Sequence, residues 1–349
     1  MAIRSSDNPV RIAFFLAPDF SMMAFAAAIE PLRAANRLSG RQLFSWQLVS
    51  AEGTPVTASN GIPVATQAAV GALGRIDMLV VCAGMEEPHR VKYDPAVLHH
   101  LRRLACHGTM VGAISSGSFL LADAGLLAGK RCTVHWEYAE DLRARHPQLN
   151  LTQELYVIDA AVFTCSGGTA ALDLMLHFVT TVGGPELALG VAEQFIHPHI
   201  RAREEHQRLD LRTRYGIRNP QLIAAVRLME GSLDEPLDME EIARRAHLSA
   251  RQIERLFRKY LASSPKGFYL GLRLARARTL LRSTASPLRM IALECGFASP
   301  SHFSNAYKRA YGIPPTQEQR LFSARGGGQP TLQRAPARLQ PRKTGEPQG

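Results

Sequence analysis

The sequence has no long apolar run. Nothing in it approaches the roughly 18 consecutive apolar residues that a membrane-crossing helix needs, and no membrane partner is expected. The opening residues, Met1-Ala-Ile-Arg-Ser-Ser-Asp-Asn-Pro9, contain no apolar core of a secretory signal. Cysteine is scarce: five residues, Cys82, Cys106, Cys132, Cys165 and Cys295, odd in number and never in C-x-x-C spacing. That argues against a disulfide framework and against a zinc site, and the expected compartment is a reducing cytoplasm. No metal and no cofactor is expected. Aromatic residues make up 7%, with two tryptophans, while hydrophobic residues reach 46% and charged residues 20%. That is a globular balance, and 349 residues give material for two domains.

Acid is what the second part of the chain lacks. Residues 1–215 carry 19 Lys and Arg against 20 Asp and Glu, whereas residues 216–349 carry 22 against 10. All of the net +11 therefore lies toward the C-terminus. Positive charge confined to one domain is a footprint for phosphate.

The neutral part alternates short apolar runs with helical periodicity. Arg11–Leu16, Phe44–Ser50, Asp77–Gly84, Thr109–Ile114 and Arg131–His135 read as strands; Met22–Leu38, Pro95–His107, Gly117–Ala124 and Trp136–Arg145 read as helices. Pro55–Thr66 looks like a hairpin around Asn60-Gly61. Glu154–Ser166 fits two short strands turning near Asp159, and Gly167-Gly-Thr169 opens a further helix. This order predicts an α/β flavodoxin-like parallel-sheet sandwich with helices on both faces. Residues 9–198 form that domain, and the charge-rich residues 199–218 are expected to link it to the next. Residues 219–322 form an all-α domain, and residues 323–349, dominated by Gly, Pro, Gln and Arg, a disordered basic tail.

In the second domain the pattern is a tandem helix-turn-helix. Met239, Ile242, Ala243 and Ala246 make the apolar face of a supporting helix, and His247-Leu248 the turn. Ser249 is an N-cap and Gln252 completes a capping box. Ile253, Leu256, Phe257 and Tyr260 are expected in the core. Arg251, Gln252 and Arg255 stand at the end that reaches base edges, and Arg258 with Lys259 on phosphate. The second unit runs from Pro287, with Gly296 ending its supporting helix and Ser299-Pro300 starting the next. Phe303, Ala306, Tyr307 and Tyr311 pack inward, leaving Ser301, His302, Ser304, Asn305 and Lys308 for DNA.

The string Ile291–Pro315 resembles the AraC/XylS signature: the G-F-x-S-x-x-H-F-S-x-x-[FY]-[KR] core and the closing G-x-x-P fall in order. The usual Tyr before the final Arg is Gln319 here, which bears on the last short helix.

The first domain carries one stretch with chemistry in it. Ala113-Ile-Ser-Ser-Gly117 sits where a buried strand runs into a helix, close to the G-x-S-x-G nucleophile elbow. This stretch, with Cys132-Thr-Val-His-Trp136, is similar to the PfpI-like, class I glutamine-amidotransferase-like superfamily. The resemblance puts the nucleophile position at Ser115 and the histidine position at His135. The acid position falls at Ala24, with Glu30 about two turns further on. Catalytic members carry Cys at the elbow, so a hydrolase here would lack two of three parts, and no catalytic residue is assigned. Ser115, Ser116, His135, Trp136 and Glu30 are instead the candidate ligand contacts, Trp136 offering an aromatic wall for a cation.

Together the domains resemble the GlxA-type regulators, AraC-like activators with a PfpI-like sensor. Ile29–Asn36 and Glu193–His197 point to the branch that senses glycine betaine, carnitine or amino acids. The resemblance implies a ligand-responsive regulator of a metabolic operon. Its partners would be double-stranded promoter DNA, a small-molecule effector, a second copy in a homodimer, and RNA polymerase. The alternative is a PfpI-type amidase or hydrolase.

Overall fold

A computed structural model describes residues 8–84, 93–208, 211–283 and 286–324. The expected tail therefore lies outside the described residues, apart from its first two. The chain divides into two compact units between Arg208 and Leu209.

The first unit contains β1 (Val10–Leu16), α1 (Met22–Ser39), β2 (Phe44–Ser50), the hairpin pair β3 (Val56–Thr57) and β4 (Pro63–Val64), β5 (Ala68–Ala69) and β6 (Met78–Ala83). These are followed by α2 (Pro95–Cys106), β7 (Met110–Ser115), α3 (Ser118–Asp123), β8 (Arg131–Cys132), α4 (Ala139–Arg145) and β9 (Asn150–Leu151). The unit continues with β10 (Tyr156–Asp159), β11 (Val162–Cys165), α5 (Ala170–Gly183) and α6 (Pro185–Gln194). The main sheet runs β10-β11-β7-β6-β1-β2-β5, with every pairing parallel except β10 with β11.

Both faces of this sheet are covered, which is why its strands read as unbroken apolar runs. Ile12, Phe14 and Leu16 join a core with α1, α5 and α6. Ala13 and Phe15 point the other way, into a core shared with α2, α3 and α4. Helix α1 begins where Ser21 accepts a hydrogen bond from the Ala24 amide, and it ends at Gly40. The parallel register brings the C-terminal ends of β1, β6, β7 and β11 to one edge, where Ala83 lies opposite Ser115.

Three details differ from the sequence reading. The strand expected over Arg131–His135 stops at Cys132, because side chains take over from the ladder at Thr133. Its amide donates to Thr164 Oγ1 at 2.8 Å, and its carbonyl accepts from Ser118 Oγ at 2.7 Å. Trp136–Tyr138 is a 3-10 turn rather than the first turn of a helix. The short β5, which adds to the sheet edge beside β2, was not expected.

Residues 199–218 do not form one free linker. Their first half is bonded along the first unit. Asp173, fully buried in α5, accepts from the Arg201 amide at 2.8 Å and from its guanidinium at 2.9 and 2.6 Å. His197 adds a contact to the same carboxylate at 2.9 Å. Further on, the Leu155 amide donates to Arg203 O at 2.9 Å.

The second unit comprises α7 (Leu211–Tyr215), α8 (Pro220–Glu230), α9 (Met239–Arg245), α10 (Ala250–Leu261), α11 (Pro265–Ser283), α12 (Leu288–Glu294), α13 (Pro300–Tyr311) and α14 (Pro315–Ala324). It has two small cores. Ile242, Ile253, Leu256 and Phe257 belong to the first, and Ile291, Phe303 and Tyr307 to the second. Helix α11 serves both, giving Tyr269 to the first core and Leu274, Ala277 and Leu281 to the other. Helix α14 forms despite Gln319, whose amide donates to Ser286 O at 2.9 Å.

Candidate effector site and DNA interface

The elbow sits at the C-terminal edge of the sheet. Ser115 has φ of +60°, in the left-handed region that a non-glycine residue enters only when its surroundings hold it there. The hold is steric. Gly167, itself at φ +87°, lies so close that a Cβ on it would come within 2.8 Å of Ser115 Cβ. The Gly-Gly-Thr entry to α5 thus makes room for the elbow. Ser115 and Ser116 are each 1% exposed, and the Ser116 hydroxyl donates to Gly84 O.

The open side of this edge is aromatic. The Ser118–Thr133 bond ties the start of α3 to the loop that carries His135. The His135 ring lies 5.6 Å from Trp136 and 6.1 Å from Tyr138, centroid to centroid. Its Nδ1 accepts from the Glu137 amide at 3.4 Å. Burial holds the His135 imidazole below its ordinary pKa, against the pull of the Glu137 carboxylate. Trp136 is 41% exposed, and the Arg208 guanidinium stacks 4.6 Å over its ring.

In the second unit, α10 is fastened by the expected capping box: Gln252 N donates to Ser249 Oγ at 3.2 Å, and Ser249 N to Gln252 Oε1 at 2.7 Å. The turn before it bends through His247 at φ +54°. Ile253, Leu256 and Phe257 are buried; Arg251, Gln252, Arg255, Arg258 and Lys259 are exposed. Helix α13 repeats the design, with Ser299 accepting from His302 N at 3.1 Å. Ser301, His302, Asn305 and Lys308 are exposed and Ser304 half-buried.

These two constructions coincide with two known families. Residues 10–181 match the DJ-1/PfpI family and residues 242–320 a helix-turn-helix domain family. The HTH-type transcriptional regulator CdhR of Pseudomonas aeruginosa is 45% identical over 309 residues, 88% of this chain and 91% of that protein. The HTH-type transcriptional regulator GbdR of the same species is 41% identical over 312 residues, 89% of this chain and 84% of that protein. The HTH-type transcriptional regulator GlxA of Rhizobium meliloti is 37% identical over 315 residues, 90% of this chain and 97% of that protein. The chain belongs to the GlxA-type regulators of the AraC/XylS family. It is a DNA-binding transcription regulator whose first domain has the DJ-1/PfpI fold.

Set against the sequence reading, the regulator brings Ser115, Ser116 and the His135–Trp136 loop to one region of the sheet edge. The Glu30 carboxylate accepts from Arg33 at 2.7 Å on the surface of α1, roughly 12 Å of helix rise beyond Met22. Ala24 is buried at the acid position. Tyr260, expected in the core, is 39% exposed instead, with Lys259 Nζ 5.1 Å from its ring centre. Gln252 has its carbonyl oxygen committed to the capping box, which leaves only its amide NH₂ for a base.

Two features escaped the sequence. Arg273 and Arg278 on α11 are structural. Arg273 donates to Cys295 O at 2.8 Å and Gly296 O at 2.6 Å, and Arg278 donates to the buried Glu318 at 3.0 Å. Arg282 at 2.7 Å and the Tyr307 hydroxyl at 2.9 Å complete the Glu318 cluster. The other missed feature is the Arg201–Arg208 strap; only the arginine density of that stretch hinted at it.

Proposed function

We propose that this regulator controls a metabolic operon, as an activator, in response to a small cationic metabolite: an amine, a betaine or an amino-acid-like zwitterion. The effector binds at the sheet edge formed by Ser115, Ser116, His135 and Trp136. The regulator works in the cytoplasm as a homodimer on double-stranded promoter DNA, and as an activator it meets RNA polymerase there. Helices α10 and α13 enter successive major-groove segments about one turn, roughly 34 Å, apart. Arg251, Arg255 and the Gln252 amide address bases from α10. Ser301, His302, Ser304 and Asn305 make the weaker contacts from α13, while Arg258 and Lys308 hold phosphate.

One observation carries the effector reading: the reachable wall of the site is Trp136 beside a half-buried His135, while the elbow behind it is a covered serine. An aromatic face attracts a cation. A serine nucleophile would need an oriented base and an acid, and the acid position is the methyl of Ala24. The strained φ of Ser115 is the observation that favours an amidase or hydrolase instead.

The full-length protein should gain thermal stability with at least one cation in a panel of amines, betaines and amino acids. Trp136→Leu should abolish that gain. Ser115→Ala should keep transcriptional output or change only its effector threshold. A hydrolytic activity that disappears in Ser115→Ala would establish the enzyme and overturn this reading.

A further inference from the structure

The strap leaves α6 and returns along the first unit to the candidate effector site. Its two ends are held very differently. At the start, Arg201 grips the fully buried Asp173 through three hydrogen bonds, a charge-assisted anchor. At the end, Arg208 is exposed and rests on the half-open face of Trp136. Such an exposed cation–π contact is weak. Between them, Gln207 Nε2 reaches Thr133 Oγ1 at 2.9 Å, Val134 O at 3.0 Å and Glu154 O at 2.9 Å. Two carbonyls on that nitrogen fix the amide's orientation. Gln207 Oε1 is then left buried without a donor among the described residues. The strap is anchored at Arg201, and at its other end Arg208 covers one face of Trp136.

That far end also touches the loop that carries His135 and Trp136. Thr133 receives Ser118 of the elbow helix on its carbonyl and Gln207 on its hydroxyl, and His135 and Trp136 follow it directly. Beyond Arg208 the chain runs into the second unit, whose helix α7 begins at Leu211.

We propose that Arg208 and the effector's cationic group compete for the same face of Trp136, so that effector binding unlatches residues 202–208. Arg208 is an internal stand-in for the effector, and its displacement lengthens the tether to the DNA-binding unit. This rests on the cationic-effector reading above and adds the device that transmits it. A longer, looser tether changes the effective concentration with which the DNA-binding unit meets its second half-site.

Two measurements on the full-length protein test it. The first is the rate of tryptic cleavage after Arg203 and Arg208, followed by intact mass. Trp136→Leu and Gln207→Ala should each raise it roughly three- to tenfold with no ligand added. Tetramethylammonium chloride should do the same to the wild type, against sodium chloride at equal ionic strength. The second is Trp136 fluorescence in a Trp46→Phe background, titrated with tetramethylammonium. Arg208→Ala should tighten binding roughly three- to tenfold, since it removes the competitor. Equal or weaker affinity in Arg208→Ala would overturn the competition while leaving a cationic effector site in place. Absence of cation binding in both proteins would overturn the competition together with the effector class. Unchanged cleavage in both Trp136→Leu and Gln207→Ala would show that Arg208 and Gln207 hold no latch.

Discussion

Helices α10 and α13 share a burial pattern position for position: exposed, half-buried and buried residues follow one order from Arg251 to Leu261 and again from Ser301 to Tyr311. The same scaffold presents different chemistry at its two ends. At the three exposed positions nearest the helix start, Arg251, Gln252 and Arg255 face Ser301, His302 and Asn305. At the later exposed positions both helices keep a cationic pair, Arg258-Lys259 and Lys308-Arg309. On the DNA contacts proposed above, early positions meet base edges and late ones phosphate, so the comparison separates specificity from affinity. On that proposal the first helix-turn-helix discriminates and the second holds.

The cores differ in kind as well. In the first helix-turn-helix Phe257 packs on Phe268, ring centres 5.4 Å apart. At the equivalent place in the second helix-turn-helix Tyr307 donates to Glu318, which also accepts from Arg278 and Arg282. One unit closes with aromatic contact, the other with a buried ionic cluster that depends on every member being present.

The largest expected effect breaks that second core. Glu318→Gln leaves two arginines without their carboxylate and should destabilise the second helix-turn-helix by about 3–5 kcal/mol, read by hydrogen exchange along α13 and α14. The same cluster makes one unit acid-sensitive. Burial pushes the Glu318 carboxyl upward, but hydrogen bonds from Arg278, Arg282 and Tyr307 outweigh it and leave the group below its ordinary value. A depressed carboxylate contributes stability above its unfolded value of about 4.3, and that contribution fades as pH falls below it. Exchange along α13 should therefore accelerate below about pH 4 before exchange along α10 does.

Next in size is specificity. Arg251→Ala should lose about 1–3 kcal/mol of discrimination at the bases that α10 addresses, measured by competition binding with altered operators. Ser301→Ala, at the matching position of α13, should change it by less than about 0.5 kcal/mol.

The turns give a smaller contrast. The second helix-turn-helix turns through Gly296 at φ +71°, where a Cβ would come within 2.3 Å of Pro236. Gly296→Ala should cost at least about 1–2 kcal/mol of thermal stability. In the first helix-turn-helix the comparable turn residue is already non-glycine, His247 at φ +54°, so His247→Gly should move stability by less than about 1 kcal/mol. Smallest of all, Arg258→Ala and Lys308→Ala should each lower the salt slope of binding by about 1 and leave sequence preference unchanged.

Much of this was legible in the sequence because it follows from local rules. Unbroken apolar runs gave the strands of a doubly covered sheet. Ser249 with Gln252, and Ser299 with Pro300, gave the starts of α10 and α13. The burial of Ile253 and Phe303 followed from spacing alone. What stayed hidden depends on long-range partners. Arg273 and Arg278 look solvent-facing until the carbonyls of Cys295 and Gly296 and the carboxylate of Glu318 meet them. The arginines of the 199–218 stretch suggest a loose linker until Asp173 is seen beneath Arg201. Thr133 leaves the strand pattern only because Thr164 and Ser118 bond its backbone. At the candidate effector site the elbow could be read from Ser115 and Gly117. The placement of Arg208 over Trp136 could not, since no spacing links residues so far apart.

The claim that one unit discriminates while its twin holds is tested most directly by selecting binding sites from a randomised operator pool. Wild type, Arg251→Ala and Asn305→Ala would be compared in parallel. The expected result is that Arg251→Ala flattens preference over one three- to four-base-pair stretch, while Asn305→Ala leaves the selected site nearly unchanged. Preference lost in Asn305→Ala and kept in Arg251→Ala would contradict it.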